Sequence, residues 1–146
     1  MAAPMLLRWM VFNVVVGNAD GHAKNLSLLQ RTPGSWTLAP FYDLVCTAAW
    51  EGLHRQLVVS VGGAAALGDI GRPQWEQLAL DLGVGKRLVL EVVHALLAAL
   101  PARLDAAMDD VATTIGAAVP RGQQLRAAIA GQARRAERLL GGRSAR

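Results

Sequence analysis

The chain has 146 residues, of which 53% are hydrophobic and 18% are charged. This composition is sufficient for one domain with one core, and it excludes a disordered chain. Arg8 and Asn13 interrupt the longest apolar run near the N-terminus, so the sequence predicts neither a membrane span nor a signal peptide. The single Cys46 cannot form an internal disulfide, and we therefore expect a soluble cytoplasmic protein with no membrane partner.

The net charge of +4 is concentrated towards the C-terminus. Residues 121–146 contain seven arginines and one glutamate, whereas residues 1–120 contain 8 basic and 10 acidic groups. Such a basic helix can attract nucleic acid or an acidic partner. No aromatic side chain lies among these arginines to stack on bases, which favours a solvated helix face. DNA is therefore expected only as a weak or indirect partner.

The N-terminal third predicts a helix, a polar loop and a hairpin, in that order. Residues 5–16 indicate a helix or a buried apolar segment, and residues 17–25 indicate a loop. Two short strands follow at 26–30 and 35–39, and Thr32-Pro33-Gly34 between them is typical of a turn.

The remaining chain predicts one more strand and then helices. The strand covers residues 56–61. Proline, glycine and the apolar spacing predict four helices, at 73–82, 86–100, 102–119 and from about 125 to Gly141-Gly142. The predicted fold class is α+β and mainly helical, without a convincing domain boundary.

Carboxylate and amide groups lie at both ends of the predicted hairpin. Asp20 and Asn25 precede its first strand, and Asp43 follows its second strand. Because a hairpin brings its two ends together, we expect these three side chains to surround one point. Two carboxylates and one amide oxygen suit Mg²⁺, which leaves its other positions to water and phosphate oxygens.

An Asp, an Asn five residues later and a second Asp after a hairpin follow the order used in kinase-type phosphoryl transfer. An alternative is hydrolysis by a transition metal held by Asp20 and His22. That site would need further histidine or cysteine ligands, and His54, His94 and Cys46 lie in unrelated contexts. Phosphoryl transfer is therefore the favoured chemistry.

Two segments resemble the C-terminal region of the HipA family. They are Asn18-Ala-Asp20-Gly-His22-Ala-Lys24-Asn25-Leu-Ser27 and Leu38-Ala-Pro40-Phe-Tyr42-Asp43-Leu44. Members of this family are bacterial serine/threonine protein kinases known as toxins of type II toxin–antitoxin modules. The resemblance covers roughly residues 6–100, and it implies a protein-kinase-like C-terminal lobe with a small β-hairpin at the active-site edge.

The resemblance also implies catalytic roles in the loop. Asp20 corresponds to the catalytic base, which accepts a proton from the attacking hydroxyl. His22 and Lys24 lie in the same matched loop, where they could orient Asp20 or neutralise phosphate charge. A protein hydroxyl is the implied substrate.

Cofactor binding is implied for three further residues. Asn25 and Asp43 correspond to the ligands of Mg²⁺, and Asn18 supports the loop backbone at the nucleotide site. The implied cofactors are Mg²⁺ and ATP, and the fragment alone is not expected to bind ATP. The implied partners are a protein substrate and an antitoxin.

One part of the kinase pattern is missing from the sequence. The family carries its nucleotide-binding lobe upstream of the catalytic loop, and only seventeen residues precede Asn18 here. We therefore expect residues 1–146 to form a single C-terminal lobe, with residues 17–44 as the catalytic segment and residues 73–141 as the helical part. The N-terminal lobe is expected to be absent, so the fragment should be inactive unless that lobe is supplied in trans. The alternative is a non-catalytic remnant or binding module that engages a kinase, an antitoxin or DNA.

Overall fold

The computed structural model describes residues 2–53 and 55–141. Its helices and strands are, in chain order, α1 (Ala2–Val16), β1 (Leu28–Thr32), β2 (Ser35–Leu38), β3 (Gln56–Val61), β4 (Ala64–Ala66), α2 (Arg72–Asp81), α3 (Lys86–Ile115) and α4 (Gly122–Gly141). The predicted α+β, mainly helical fold is confirmed. Short 3-10 turns at Ala23–Asn25, Thr47–Ala49 and Leu67–Asp69 connect some of these elements.

The first helix, α1, lies at the centre of the core. Leu7, Val11, Val14 and Val15 are buried along it and pack with side chains from the three other helices. These partners include Trp75 and Leu78 of α2, Val89 and Val93 of α3, and Ala136 and Leu140 of α4. Burial of this apolar surface is the main force that holds the helices together.

The third helix differs from the prediction of two helices at 86–100 and 102–119. It runs without a break from Lys86 to Ile115 and contains Pro101. A proline removes one helical hydrogen bond and disfavours an interior position by about 3 kcal/mol. Strong helix formers on both sides, mainly alanine and leucine, keep the helix continuous. It ends at Gly116, where a φ of 65° permits the left-handed C-cap.

Both antiparallel hairpins lie at the surface. The predicted strands at 26–30 and 35–39 are observed as β1 and β2, which pair from Leu28–Leu38 to Thr32–Ser35. The predicted strand at 56–61 is β3, and the short β4 that pairs with it was not expected. Every residue of β1 is exposed, so this hairpin contributes little to the core and serves mainly to bring its ends together.

The last helix contacts several earlier segments. Gln132 donates a hydrogen bond to the Val14 carbonyl at the end of α1, and Arg135 donates one to the Gly68 carbonyl. Three residues that contribute to the predictions for the C-terminus lie outside the described residues. They are Arg143 and Arg146 of the basic segment and Gly142 at the predicted end of the last helix. Among those that are described, no helix has the length and apolar character needed to cross a bilayer.

Candidate active site

The polar loop begins where α1 ends, and two buried asparagines fix its direction. Asn13 donates from Nδ2 to the Trp9 carbonyl at 2.8 Å. Asn18 donates from Nδ2 to Asn13 Oδ1 at 2.7 Å, and its backbone N–H donates to the Asn13 carbonyl at the same distance. Gly17 between them has a φ of 82°, which permits the sharp turn out of the helix. The amides thereby satisfy one another in an apolar environment.

A threonine from the far side of the hairpin holds the same loop. Thr47 Oγ1 accepts the Ala19 N–H at 2.9 Å and donates to the Gly17 carbonyl at 3.1 Å. The Ala48 N–H also donates to the Gly17 carbonyl, at 3.0 Å. The segment that carries Asp43 is therefore fixed to the loop that carries Asp20.

The base of the β1–β2 hairpin brings Asn25 and Asp43 together. Asn25 Nδ2 donates to Asp43 Oδ2 at 3.1 Å, although eighteen residues separate them in the chain. Asn25 is buried in the 3-10 turn, whereas Asp43 is exposed. Asp43 has a φ of 55°, an uncommon conformation for a residue with a Cβ. Such backbone strain often accompanies functional sites, because the surroundings must hold it in place.

A tyrosine reinforces this arrangement next to Asp43. The Tyr42 hydroxyl donates to the Lys24 carbonyl at 2.9 Å and lies 3.0 Å from Ser27 Oγ. The Ala39 N–H donates to the Ser27 carbonyl at 2.8 Å, which extends the pairing beyond the strand ends. Three hydrogen bonds therefore hold the turn before β1 against the segment after β2.

The three predicted catalytic side chains lie in the loop between these two fixed points. Asp20 is exposed, and its backbone N–H donates to Asn18 Oδ1 at 3.0 Å. Lys24 is exposed, so its ammonium is accessible to an anionic ligand. His22 is half-buried, and its Nδ1 atom is buried without a hydrogen-bond partner in the described part of the chain. The structure leaves the functions of all three as predictions.

The chemistry of the Asn25–Asp43 pair fits a hard cation. One carboxylate and one amide can supply oxygen ligands on adjacent sides of a small ion. Residues 2–53 and 55–141 contain no group of three histidine, cysteine or acidic side chains able to hold a metal. Two protein ligands agree with Mg²⁺, which retains water and phosphate oxygens, better than with a metal enclosed by protein side chains.

The transition-metal alternative finds no support in the described residues. His94 is exposed on α3, and His54 lies outside the described ranges. Cys46 is buried as a free thiol, and desolvation raises its pKa despite hydrogen bonds from Ala49 and Ala48. A buried thiol of raised pKa is a poor nucleophile and a poor metal ligand. Cys46 thus behaves as a small buried apolar residue.

Asn13, Thr47 and Tyr42 hold the candidate site but were not predicted as site residues. Asn13 carried one detectable signal, because it is a polar residue inside an apolar helical run. Tyr42 lies inside the second matched segment, next to Asp43. Thr47 offered no signal, because its contacts depend on a tertiary approach across 28 and 30 residues.

The fold and this arrangement together define a kinase-like C-terminal lobe. The structure superposes on a chain in the complex of Shewanella oneidensis HipA, HipB and operator DNA with a TM-score of 0.76. The superposition covers 98% of this chain and 34% of the other, at 21% sequence identity. Because the sequence identity is only 21%, this structural similarity establishes the fold alone.

Family membership rests on the sequence itself. Residues 2–104 match the family described as the HipA-like C-terminal domain, and the chain belongs to this family. It is 39% identical over 84 residues to a Sinorhizobium fredii protein named “putative kinase Y4mE”. This alignment covers 58% of this chain and 20% of that protein. It is also 39% identical over 56 residues to the serine/threonine-protein kinase toxin HipA of Shewanella oneidensis. This second alignment covers 38% of this chain and 13% of that protein.

These relatives are much longer than the matched region. The alignments span only a fifth or less of the two curated proteins, and about a third of the solved chain. The similarity therefore assigns the domain, while catalytic activity, substrates and partners are matters for proposal.

Proposed function

We propose that this chain is the C-terminal part of a HipA-like serine/threonine kinase that transfers the γ-phosphoryl group of ATP to a protein hydroxyl. The main support is the contact between Asn25 and Asp43 across the base of the hairpin. It places an amide and a carboxylate together in the order that phosphoryl transfer uses. The kinase names of the two curated relatives agree with this chemistry.

In this proposal the loop and the hairpin base have separate tasks. Asp20, exposed at the start of the loop, orients the attacking hydroxyl and accepts its proton. Lys24 places a positive charge near the phosphates, and His22 orients Asp20 within the same loop. Asn18 fixes the Asp20 backbone through its side-chain oxygen. Because such catalysis depends on positioning, the fixed backbone around Asp20 is as important as its carboxylate.

Asn25 and Asp43 are the proposed holders of Mg²⁺. Their present hydrogen bond keeps both side chains at one point, and rotation of the Asn25 amide presents its oxygen to the ion. The ion that these two residues would hold would neutralise charge on the ATP phosphates. The proposed role of Asn25 and Asp43 is to keep the ion near the hydroxyl that Asp20 orients.

We further propose that residues 1–146 act in the cytoplasm in contact with a further protein surface. The β1–β2 hairpin exposes Leu28 and Trp36, with about 60% of each side chain accessible. Exposed apolar groups of this size favour a protein contact. A nucleotide-binding lobe is the surface that we propose, and residues 1–146 without it should be inactive.

The antitoxin and DNA enter only by analogy. The solved relative is described in complex with HipB and operator DNA, and we extend an antitoxin partner to this chain on that basis. The described arginines from residue 121 onward offer weak support for direct DNA contact, because several of them are bound to other parts of the chain. Arg126 pairs with Asp105, Arg135 binds the Gly68 carbonyl, and Arg121 lies over the Trp50 ring at 5.2 Å.

A titration of the ¹⁵N-labelled chain with Mg²⁺ tests the proposed ion site. We expect the backbone signals of Asn25 and Asp43 to shift with added Mg²⁺, and the Asp43→Asn variant to lose the response. Asp69→Asn, which changes an exposed acidic residue in another 3-10 turn, is the matched control and should retain it. Equal responses in the wild type and in Asp43→Asn would contradict the ion site.

A phosphorylation assay tests the reaction. The chain alone should transfer no phosphate from Mg-ATP, and addition of a HipA-like nucleotide-binding lobe should restore transfer. Asp20→Asn should then lower the rate by about 10²–10⁴-fold, the usual contribution of a general base. Transfer by the chain alone would refute the expected inactivity, and no transfer with the lobe present would favour a non-catalytic binding module.

A further inference from the structure

Asn13 is a buried polar residue in the otherwise apolar last turn of α1. The helix is apolar around it, and the Asn13 side chain is 5% exposed, similar to the core valines at positions 14 and 16. Burying an amide is unfavourable unless its donors and acceptors are satisfied. A leucine would fill this position without that cost, so the contacts of Asn13 explain its presence better than packing does.

The Asn13 carboxamide begins a series of three hydrogen bonds that ends at Asp20. Its Nδ2 donates to the Trp9 carbonyl at 2.8 Å, which fixes the amide orientation. Its Oδ1 then accepts Asn18 Nδ2 at 2.7 Å, and Asn18 Oδ1 accepts the Asp20 N–H at 3.0 Å. We call these three bonds the asparagine relay.

Asn13 also touches the loop on the other side of Asp20. A Cβ added to Gly21 would lie 3.1 Å from the Asn13 carboxamide carbon, which is closer than ordinary packing allows. The carboxamide therefore lies directly against the Gly21 backbone, while its oxygen holds Asn18. These contacts are made to residues on both sides of Asp20, whose own side chain is exposed.

We propose that Asn13 is a positioning residue for Asp20, acting through Asn18 to fix the backbone from which the Asp20 carboxylate projects. This inference rests on the proposed function, because it concerns the residue proposed as the base. Neighbouring hydrogen bonds polarise one another in a buried environment, so the relay restrains the Asp20 backbone more firmly than one isolated bond. The exposed carboxylate then needs only to select its side-chain rotamer.

Amide hydrogen exchange tests the relay without requiring catalytic activity. The measured quantity is the exchange rate of the Asp20 N–H, compared with that of Val93 in the core of α3. Asn13→Leu removes the oxygen that accepts the Asn18 side-chain N–H, so the Asn18 side chain is no longer held in place for Asp20. Exchange at Asp20 should accelerate by about ten- to a hundredfold, the usual effect of disrupting a hydrogen bond of this kind. The acceleration at Val93 should be smaller.

Two further variants separate positioning from general destabilisation. Val11→Ala removes buried methyl groups from the same helix, at a residue with 0% exposure, and leaves the relay intact. It should accelerate Val93 exchange without a larger effect at Asp20. Asn18→Ala removes the oxygen that accepts the Asp20 N–H and should raise the ratio of Asp20 to Val93 exchange at least as much as Asn13→Leu does.

The proposal is overturned if Asn13→Leu and Val11→Ala give the same ratio of Asp20 to Val93 exchange, or if Asn18→Ala leaves that ratio at its wild-type value. If Asn13→Leu does not fold, Asn13→Ala replaces it, because it removes the carboxamide without adding methyl groups. The Mg²⁺ titration of Asn25 and Asp43 is independent of these rates. Failure of the ion site and failure of the relay are therefore distinguishable.

Discussion

Thr47 joins two segments of the candidate site through a single hydroxyl. It accepts the Ala19 N–H and donates to the Gly17 carbonyl, so both sides of Asn18 are held from the segment that follows Asp43. Ala19 is buried, and its N–H has no access to water as an alternative partner. A buried donor without an acceptor costs about 1–3 kcal/mol.

Thr47→Val should therefore lower the free energy of unfolding by about 1–3 kcal/mol. Valine has nearly the same shape, so the loss reflects the hydroxyl rather than packing. Urea denaturation of the purified variant gives the measurement. Thr37→Val is the control, because Thr37 is exposed and its hydroxyl lies 3.5 Å from the Leu29 carbonyl, and it should change stability by no more than about 0.5 kcal/mol.

The residues of the candidate site differ in how far the sequence could predict them. Asn25 and Asp43 could be placed together because a turn signal between two short strands predicts a hairpin, and a hairpin fixes which residues meet. Asn13 and Thr47 could not be paired with their partners. Their contacts depend on how α1 and the Thr47–Ala49 turn approach the loop, and no local pattern encodes that approach.

At the scale of elements, the turn between β3 and β4 connects the sheet to the helical part. Gly62 and Gly63 have φ values of 54° and 83°, which are the positive values of a type I′ hairpin turn. A Cβ on Gly62 would overlap the backbone carbonyl of Gln74 in α2, whereas a Cβ on Gly63 would meet open space. Gly62 is thus needed both for the turn and for close approach to α2.

We expect Gly62→Ala to destabilise the protein more than Gly63→Ala. Both substitutions place a Cβ at positive φ, which costs about 1–2 kcal/mol. Gly62→Ala should cost about 1–3 kcal/mol more, because the α2 backbone must move. Thermal or chemical unfolding of the two variants measures the difference, and equal losses would show that Gly62 is constrained by the turn alone.

The predicted elements were most accurate where the signal was local. The polar turn predicted the β1–β2 hairpin, and Pro73 predicted the start of α2, because those residues restrict their own backbone. The two helices predicted at 86–100 and 102–119 implied a break near Pro101 that the structure does not have. A proline weakens a helix by a limited amount, and the outcome depends on the neighbours that stabilise the helix on both sides.

At the scale of the whole molecule, α4 completes the core although the family match ends at residue 104. Ile129, Ala136 and Leu140 are buried on the face that packs against the earlier helices and turns. Two of its arginines contact earlier segments, since Arg126 pairs with Asp105 and Arg135 donates to the Gly68 carbonyl. The prediction that residues 1–146 form one lobe therefore requires α4 to unfold together with the rest.

Ile129→Ala tests this cooperation. Removal of a buried isoleucine side chain should lower the free energy of unfolding by about 2–4 kcal/mol, within a single transition that α1 and α4 share. Asp105→Asn breaks only an exposed ion pair and should cost less than about 1 kcal/mol. Circular dichroism and tryptophan fluorescence should give one midpoint, and a separate early transition of α4 would contradict the single lobe.

The sequence by itself determined the helical character, the hairpin and the meeting of residues 25 and 43. Each of these depends on backbone preferences and periodicity over a few neighbouring residues. Tertiary structure alone decided the continuous α3, the pairing of β4 with β3, the Thr47 bridge and the relay from Asn13 to Asp20. These features arise because distant segments satisfy one another's buried polar groups, and the free energy of that match is absent from any single stretch of the chain.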